Sequence, residues 1–156
     1  MVTTRRKPSM SPDEARRFHK QCMVVDSQQP GATSGLLFND EMRAAMDEYI
    51  AKGLSRNVIR RRLQAMGVRA VQTSAKARRQ YMALWEKSGV NVASATYAGP
   101  RPPDGAFEAS VGAIAEARGM IDALGGELRL VLTADGIEQA YEDGVKGVIF
   151  DFQDTT

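Results

Sequence analysis

Three short apolar runs in this chain end in polar residues. "CMVVDSQ" passes into Asp26, Ser27 and Gln28, "VNVASATY" closes on Thr96 and Tyr97, and "GVIFDFQDTT" carries Gln153 and Asp154. Where such runs are parallel strands of an α/β protein, their carboxyl ends lead into the loops that hold ligands. Two of these residues, Asp26 and Asp154, are carboxylates that can bind a cation loosely or act as a general base, and spacing alone favours neither role. The neutral groups of Gln28, Thr96 and Gln153 offer hydrogen bonds to a substrate. Polar residues also simply start loops, so each of the five has a plain structural alternative.

Other reactive side chains are scarce. His19 is the only histidine, which excludes a multi-histidine metal site and a pair of imidazoles sharing acid–base work, and a surface position is expected for it. Cys22 is the only cysteine, so no internal disulfide can form; a reducing compartment fits, and its place before Met23-Val24-Val25 predicts a buried, inert thiol. No phosphate-binding glycine motif, nucleophile elbow or His–Cys pair occurs. No catalytic residue can be assigned from these types and spacings.

The elements that must position the rim follow from periodicity. Residues 1–10 are expected to be flexible, and Ser11-Pro12-Asp13-Glu14 opens a short helix with a cap residue, a first-turn proline and acids at the dipole's positive end. A first strand is predicted over 22–26, closed by the turn residues Gln28-Gln29-Pro30-Gly31. A helical excursion then fills 40–88. Its first helix places Met42, Ala45, Met46, Tyr49 and Ile50 on one face; its second turns Val58, Ile59, Leu63 and Met66 inward and ends at Gly67. A β-like "VRAVQT" separates these from a third helix in which Ala77, Tyr81, Leu84, Trp85 and Ser88 share a face, with Trp85 as a core anchor. After the strand at 90–96 comes a helix carrying Phe107, Val111, Ile114, Ile121 and Leu124. A short strand "LRLVL", a small helix with Ile137, Ala140 and Tyr141 inward, and a last strand at 147–152 complete the order. Strands alternating with helices predict a parallel sheet with helices packed outside it.

Composition is that of an ordinary globular chain: 156 residues, 43% apolar, 6% aromatic, net charge +2. No apolar run follows the basic N-terminus and none approaches membrane-spanning length, so a cytoplasmic protein with no membrane partner is expected. The charge is unevenly placed. Residues 1–89 hold 17 Lys/Arg against 8 Asp/Glu, and residues 90–156 hold 4 against 11. Arg56, Arg60, Arg61 and Arg62 centre the basic half, but no nucleic-acid motif or stacking aromatics accompany them. The preferred reading is the solvated face of a helix, complementary to the acidic half of the same chain or of a neighbouring copy. Nucleic acid is the less favoured partner.

Two stretches, "SGVNVASATY" and "LRLVLTADGIEQAYEDGVKGVIFDFQDTT", resemble the N-terminal half of the membrane dipeptidase (renal dipeptidase-like) metallopeptidases. The likeness lies in the Gly-Val strand ending near Thr96, in Thr133, Asp135, Ile137 and Ala140, and in Gly144, Lys146, Gly147 and Ile149 of the turn into the last strand, with Asp135 displaced one place by Gly136. It implies an α/β fold of the TIM-barrel type, about half of a (β/α)8 barrel over residues 11–156. The runs at 22–26, 90–96 and 147–152 would be successive staves, with Asp26, Gln28, Thr96, Gln153 and Asp154 facing a small peptide-like substrate. It also implies peptide or amide hydrolysis in the family and a zinc centre. Carried over by position, Gln28 and Gln153 replace a histidine and a bridging glutamate, and Pro30 replaces an aspartate. A neutral amide is a weak zinc ligand and proline offers no side-chain donor, so no cofactor is expected in this chain.

The expectation is therefore a fragment of a dipeptidase-like hydrolase barrel, inactive alone, partnered by the other half of the barrel or by a second copy through strand 147–152. The rival expectation is a non-enzymatic interaction module using the basic helices 40–66 to bind an acidic partner or nucleic acid.

Overall fold

The computed structural model describes residues 10–29, 37–97 and 105–152. Six helices and four strands follow one another as α1 (Pro12–Gln21), β1 (Val25–Asp26), α2 (Asp40–Ala51), α3 (Arg56–Thr73), α4 (Ala75–Ser88), β2 (Val92–Tyr97), α5 (Ala106–Ala123), β3 (Leu128–Leu130), α6 (Ala134–Glu142) and β4 (Lys146–Phe152). All strands are parallel, in the order β1-β2-β4-β3. The runs at 22–26, 90–96 and 147–152 are thus neighbours in the sheet, but the strand order is not the sequential one of barrel staves. The short strand β3 lies beyond β4 rather than between β2 and β4. β4 is therefore an inner strand, with Val148 fully buried and Ile149 and Phe150 half-buried.

Strand alternation gives the sheet two different faces. Ala93, Ala95, Val148, Leu128 and Leu130 share one face with Val68, Val71, Tyr81, Trp85, Ala117, Met120 and Leu124 of helices α3, α4 and α5. On the opposite face Val92 and Gly147 are cross-strand neighbours, and α6 packs there against β4 and β2 with Ala140 fully buried. This two-sided cover follows from the strand order. The path from β2 to β3 runs one way across the sheet and the path from β3 back to β4 runs the other, so right-handed crossovers must lie on opposite faces.

Local signals explain the helix ends. Ser11 and Glu14 form a reciprocal capping box, and Asn39, Ser74 and Thr133 accept backbone N–H groups at the starts of α2, α4 and α6. Gly89 ends α4 at φ 72°, and His19 packs so closely that a Cβ there would lie 2.4 Å from its ring.

Several expectations are corrected. "VRAVQT" is not β-like but the last turns of α3, and Gly67 lies inside that helix: burying Val68 and Val71 outweighs the roughly 1 kcal/mol that glycine costs there. The first strand shrinks from 22–26 to Val25–Asp26, and Cys22 is half-buried at the end of α1 rather than enclosed. Ile50, Leu84, Phe107, Val111 and Tyr141, all expected inward, are exposed. In α5 the inner face is made by Ala113 and Ala117 together with Met120, Ile121 and Leu124, the last two as expected. Trp85 is the core anchor expected, and its Nε1 has no hydrogen-bond partner among the described residues.

Gly147 is the tightest point of the sheet, where an added Cβ would sit 2.8 Å from Val92 and 3.0 Å from Val131. These branched side chains are short and buried, so they cannot swing away. Gly147→Ala is expected to destabilise by about 1–3 kcal/mol in denaturant titrations. The double variant with Val92→Ala should recover part of that loss. Equal stability of Gly147→Ala and the parent would show that the sheet relaxes freely there.

Candidate functional site

The two ends of the sheet differ in chemistry. The amino end is held together by Asn91, whose Oδ1 accepts the Val24 N–H (2.8 Å) while its own N–H donates to Val24 O (2.9 Å) and its carbonyl accepts the Gly147 N–H (2.8 Å). One residue thus ties β1, β2 and β4 in register. A cleft of about 340 Å³ opens beside it, lined by Met82, Glu86, Glu127, Lys146 and the Gly125-Gly126 and Gly144 turns. Lys146 lies there with its side chain only 10% exposed, and its Nζ donates to Glu86 at 3.1 Å. The Glu86 carboxylate thus supplies the counter-charge of this nearly buried ammonium. In α/β folds residues at this end serve stability. Close by, the Arg129 guanidinium donates to Asp143 (2.7 Å) and Gln139 adds a second hydrogen bond, which together hold that carboxyl below its usual range.

The carboxyl end carries the candidate site. Thr96 and Asp151 are cross-strand partners, one step beyond Ser94 and Ile149 on the same face. Lower on that face, α6 covers the level of Val92, Gly147 and Val131. Ser94 is buried, Thr96 half-buried and Asp151 exposed, so polarity and solvent access rise together towards the rim. At the end of β1, Asp26 closes its own turn: Oδ1 accepts the Gln28 N–H (3.1 Å) and Oδ2 the Gln29 side-chain amide (3.5 Å). The Gln29 N–H then donates to Ser94 O at 2.9 Å, tying this turn to β2.

Of the five residues expected at the rim, the structure describes three. Asp26 and Gln28 are joined in one turn, with Gln28 exposed; Thr96 stands on the neighbouring strand. Asp26 is in register with Ala93 and so belongs to the helix-covered face, opposite to Thr96. Its carboxylate therefore shapes the loop, and the acid that shares a face with Thr96 is Asp151. Gln153 and Asp154 lie outside the described residues, as does Pro30. Asp151 and Ser94 escaped the sequence reading although strict alternation in "VASATY" and "GVIFDF" carried the signal. Which residues face each other depends on the pairing of β2 with β4, and that register is tertiary.

This arrangement can bind but has little with which to activate a nucleophile. His19 packs against Gly89, just before β2, and Cys22 just precedes β1, so both stand at the amino end, away from Thr96 and Asp151. Among the described residues no three of His, Cys, Asp and Glu gather in a group able to hold a metal ion. Among the described residues the donors at this rim are a turn-closing carboxylate, neutral amides and one exposed acid. They do not fit the zinc centre that the dipeptidase resemblance implies, where fixed charged ligands are needed to lower the pKa of bound water. No helix among the described residues is long and apolar enough to cross a membrane.

The amino-end cleft gives an asymmetric pair of expectations. Glu86→Gln leaves the nearly buried Lys146 ammonium without its counter-charge and should cost about 1–3 kcal/mol, towards the lower end because Glu86 itself is well solvated. Lys146→Met removes charge and desolvation together and should stay within about 1.5 kcal/mol of the parent. Chemical denaturation of both variants measures this; a larger loss for Lys146→Met would assign that lysine a role beyond the pair.

Comparison with protein-family models, with curated proteins and with solved structures found no significant match to this chain.

Proposed function

We propose that the carboxyl rim of this sheet is the substrate-binding part of a dipeptidase-like hydrolase that is inactive on its own. The observation that carries this reading is the Thr96–Asp151 pair: a hydroxyl and a carboxylate side by side at the carboxyl ends of two parallel strands, with Asp151 exposed. A carboxylate recognises a peptide's α-ammonium and a hydroxyl bonds its carbonyl or amide. The edge strands β1 and β3 are where further strands from another segment or another polypeptide would pair, bringing the activating groups with them. The resemblance around Thr96 and residues 128–152 points to the same class of substrate. In this proposal the protein works in the cytoplasm, and zinc is not a stoichiometric component of this chain.

The test uses the whole purified chain. Titration with alanyl-alanine should shift the NMR amide signals of residues 94–97 and 149–152, and Asp151→Asn should reduce the shifts. Elemental analysis should find well under one zinc per chain, and dipeptide turnover should stay at background with or without added zinc. Shifts confined to the Lys146 cleft, or none at millimolar peptide, would refute the rim as the site. Turnover lost on changing Asp26 or Asp151 would refute the inactive-alone reading.

A further inference from the structure

The uneven charge of the chain acquires a geometry in the fold. Helix α3 carries five arginines and no acid over its 18 residues, and Arg56, Arg60, Arg61, Arg62 and Arg69 are all exposed. Arg62 sits over the Tyr49 ring at 5.1 Å; none of the five has an ion-pair partner among the described residues. On the other side, α6 exposes Asp135, Glu138 and Glu142, spaced along one stripe of the helix, with none of the three in an ion pair among the described residues. The two helices belong to opposite layers: α3 packs with α2, α4 and α5 over the face bearing Ala93 and Val148, and α6 covers the face bearing Val92 and Gly147.

The arginines of α3 and the acids of α6 cannot neutralise each other within one chain, because the sheet stands between them, and the acids of α2 and α5 form no ion pair with these arginines among the described residues. Two stacked copies can. We infer that Arg56 and Arg60, one turn apart at the start of α3, dock on the acidic stripe of α6 in a second copy of this chain, head to tail. Charge complementarity selects this occupant. A nucleic acid would satisfy α3 alone and would leave the acids of α6 unpaired. Arginine forks suit carboxylates by forming paired hydrogen bonds, and the exposed setting makes the contact weak and salt-sensitive. Because the two patches lie on opposite layers, one partner cannot return the contact, so it is heterologous and adds copies in a ring or a line rather than closing a twofold dimer. The inference is independent of the rim and of any ligand bound there.

Sedimentation of the full chain at about 0.05 M and about 0.5 M NaCl tests this, and the association constant should fall at least about tenfold between them. Arg56→Glu/Arg60→Glu and Glu138→Lys/Glu142→Lys should each weaken association about tenfold or more at low salt. Mixing the two variants should restore it, since each keeps one native patch for the other. Thermal melts confirm that each variant is folded; if a charge reversal fails to fold, the neutral pairs Arg56→Gln/Arg60→Gln and Glu138→Gln/Glu142→Gln take its place. A monomer at low salt overturns the inference, as does association that ignores salt or both charge changes. Loss of association on Ile149→Lys alone would move the contact to strand β4. Binding of a 20-base-pair DNA duplex without self-association would make α3 a nucleic-acid surface instead.

Discussion

The pairing of β2 with β4 is the constraint on which the rest of the structure depends. Six consecutive register pairs, from Val92↔Gly147 to Tyr97↔Phe152, join two strands more than fifty residues apart, and the other strands attach to this pair. The pairing begins at a crowded point where Gly147 lets Val92 and Val131 close over the backbone, and it is clipped by the Asn91 carbonyl accepting from Gly147 N. Shifting the register by one residue would exchange the two faces of β4, turning Val148 out of the core and Asp151 into it. The core, the rim and the placement of α6 all follow from that one register.

From it comes a division of labour along the strands. The amino ends hold groups that satisfy each other, Asn91 with Val24 and Lys146 with Glu86, and these fix strands and turns in place. At the carboxyl ends the polar groups have fewer obligations. Asp26 is occupied by its own turn, and Asp151 stands exposed beside Thr96. A rigid base below a more open polar rim is the arrangement that lets loops and strand ends bind ligands without weakening the fold.

A second division runs across the layers. Because β3 pairs outside β4, the return path through α6 must lie on the face that the other helices leave open. The acids of α6 are thereby separated from the arginines of α3 by a whole sheet. Had β3 lain between β2 and β4, all crossovers would have fallen on one face and the two charge sets could have met within the chain. Strand order thus decides whether the charge asymmetry of the sequence is neutralised internally or presented to a partner.

Much was legible without the structure. Parallel α/β class, the strands near 92–97 and 147–152 and the cap at Ser11 all follow from local chemistry: alternating or continuous apolar runs, and a side-chain oxygen placed to accept a backbone N–H group. The exposure of the arginines on α3 was equally local, since a charged side chain without a partner stays in water. Other features could not be read, because they depend on what packs against what. Gly67 stays helical since Val68 and Val71 find a core, and Phe107 and Val111 lie exposed although their spacing is that of an inner face. Asp26 and Thr96, both rightly placed at strand ends, fall on opposite faces of the sheet, and the acid beside Thr96 is Asp151. A sequence sets the alternation of each strand by the geometry of its own backbone; only the pairing between distant strands decides which alternate residues stand together.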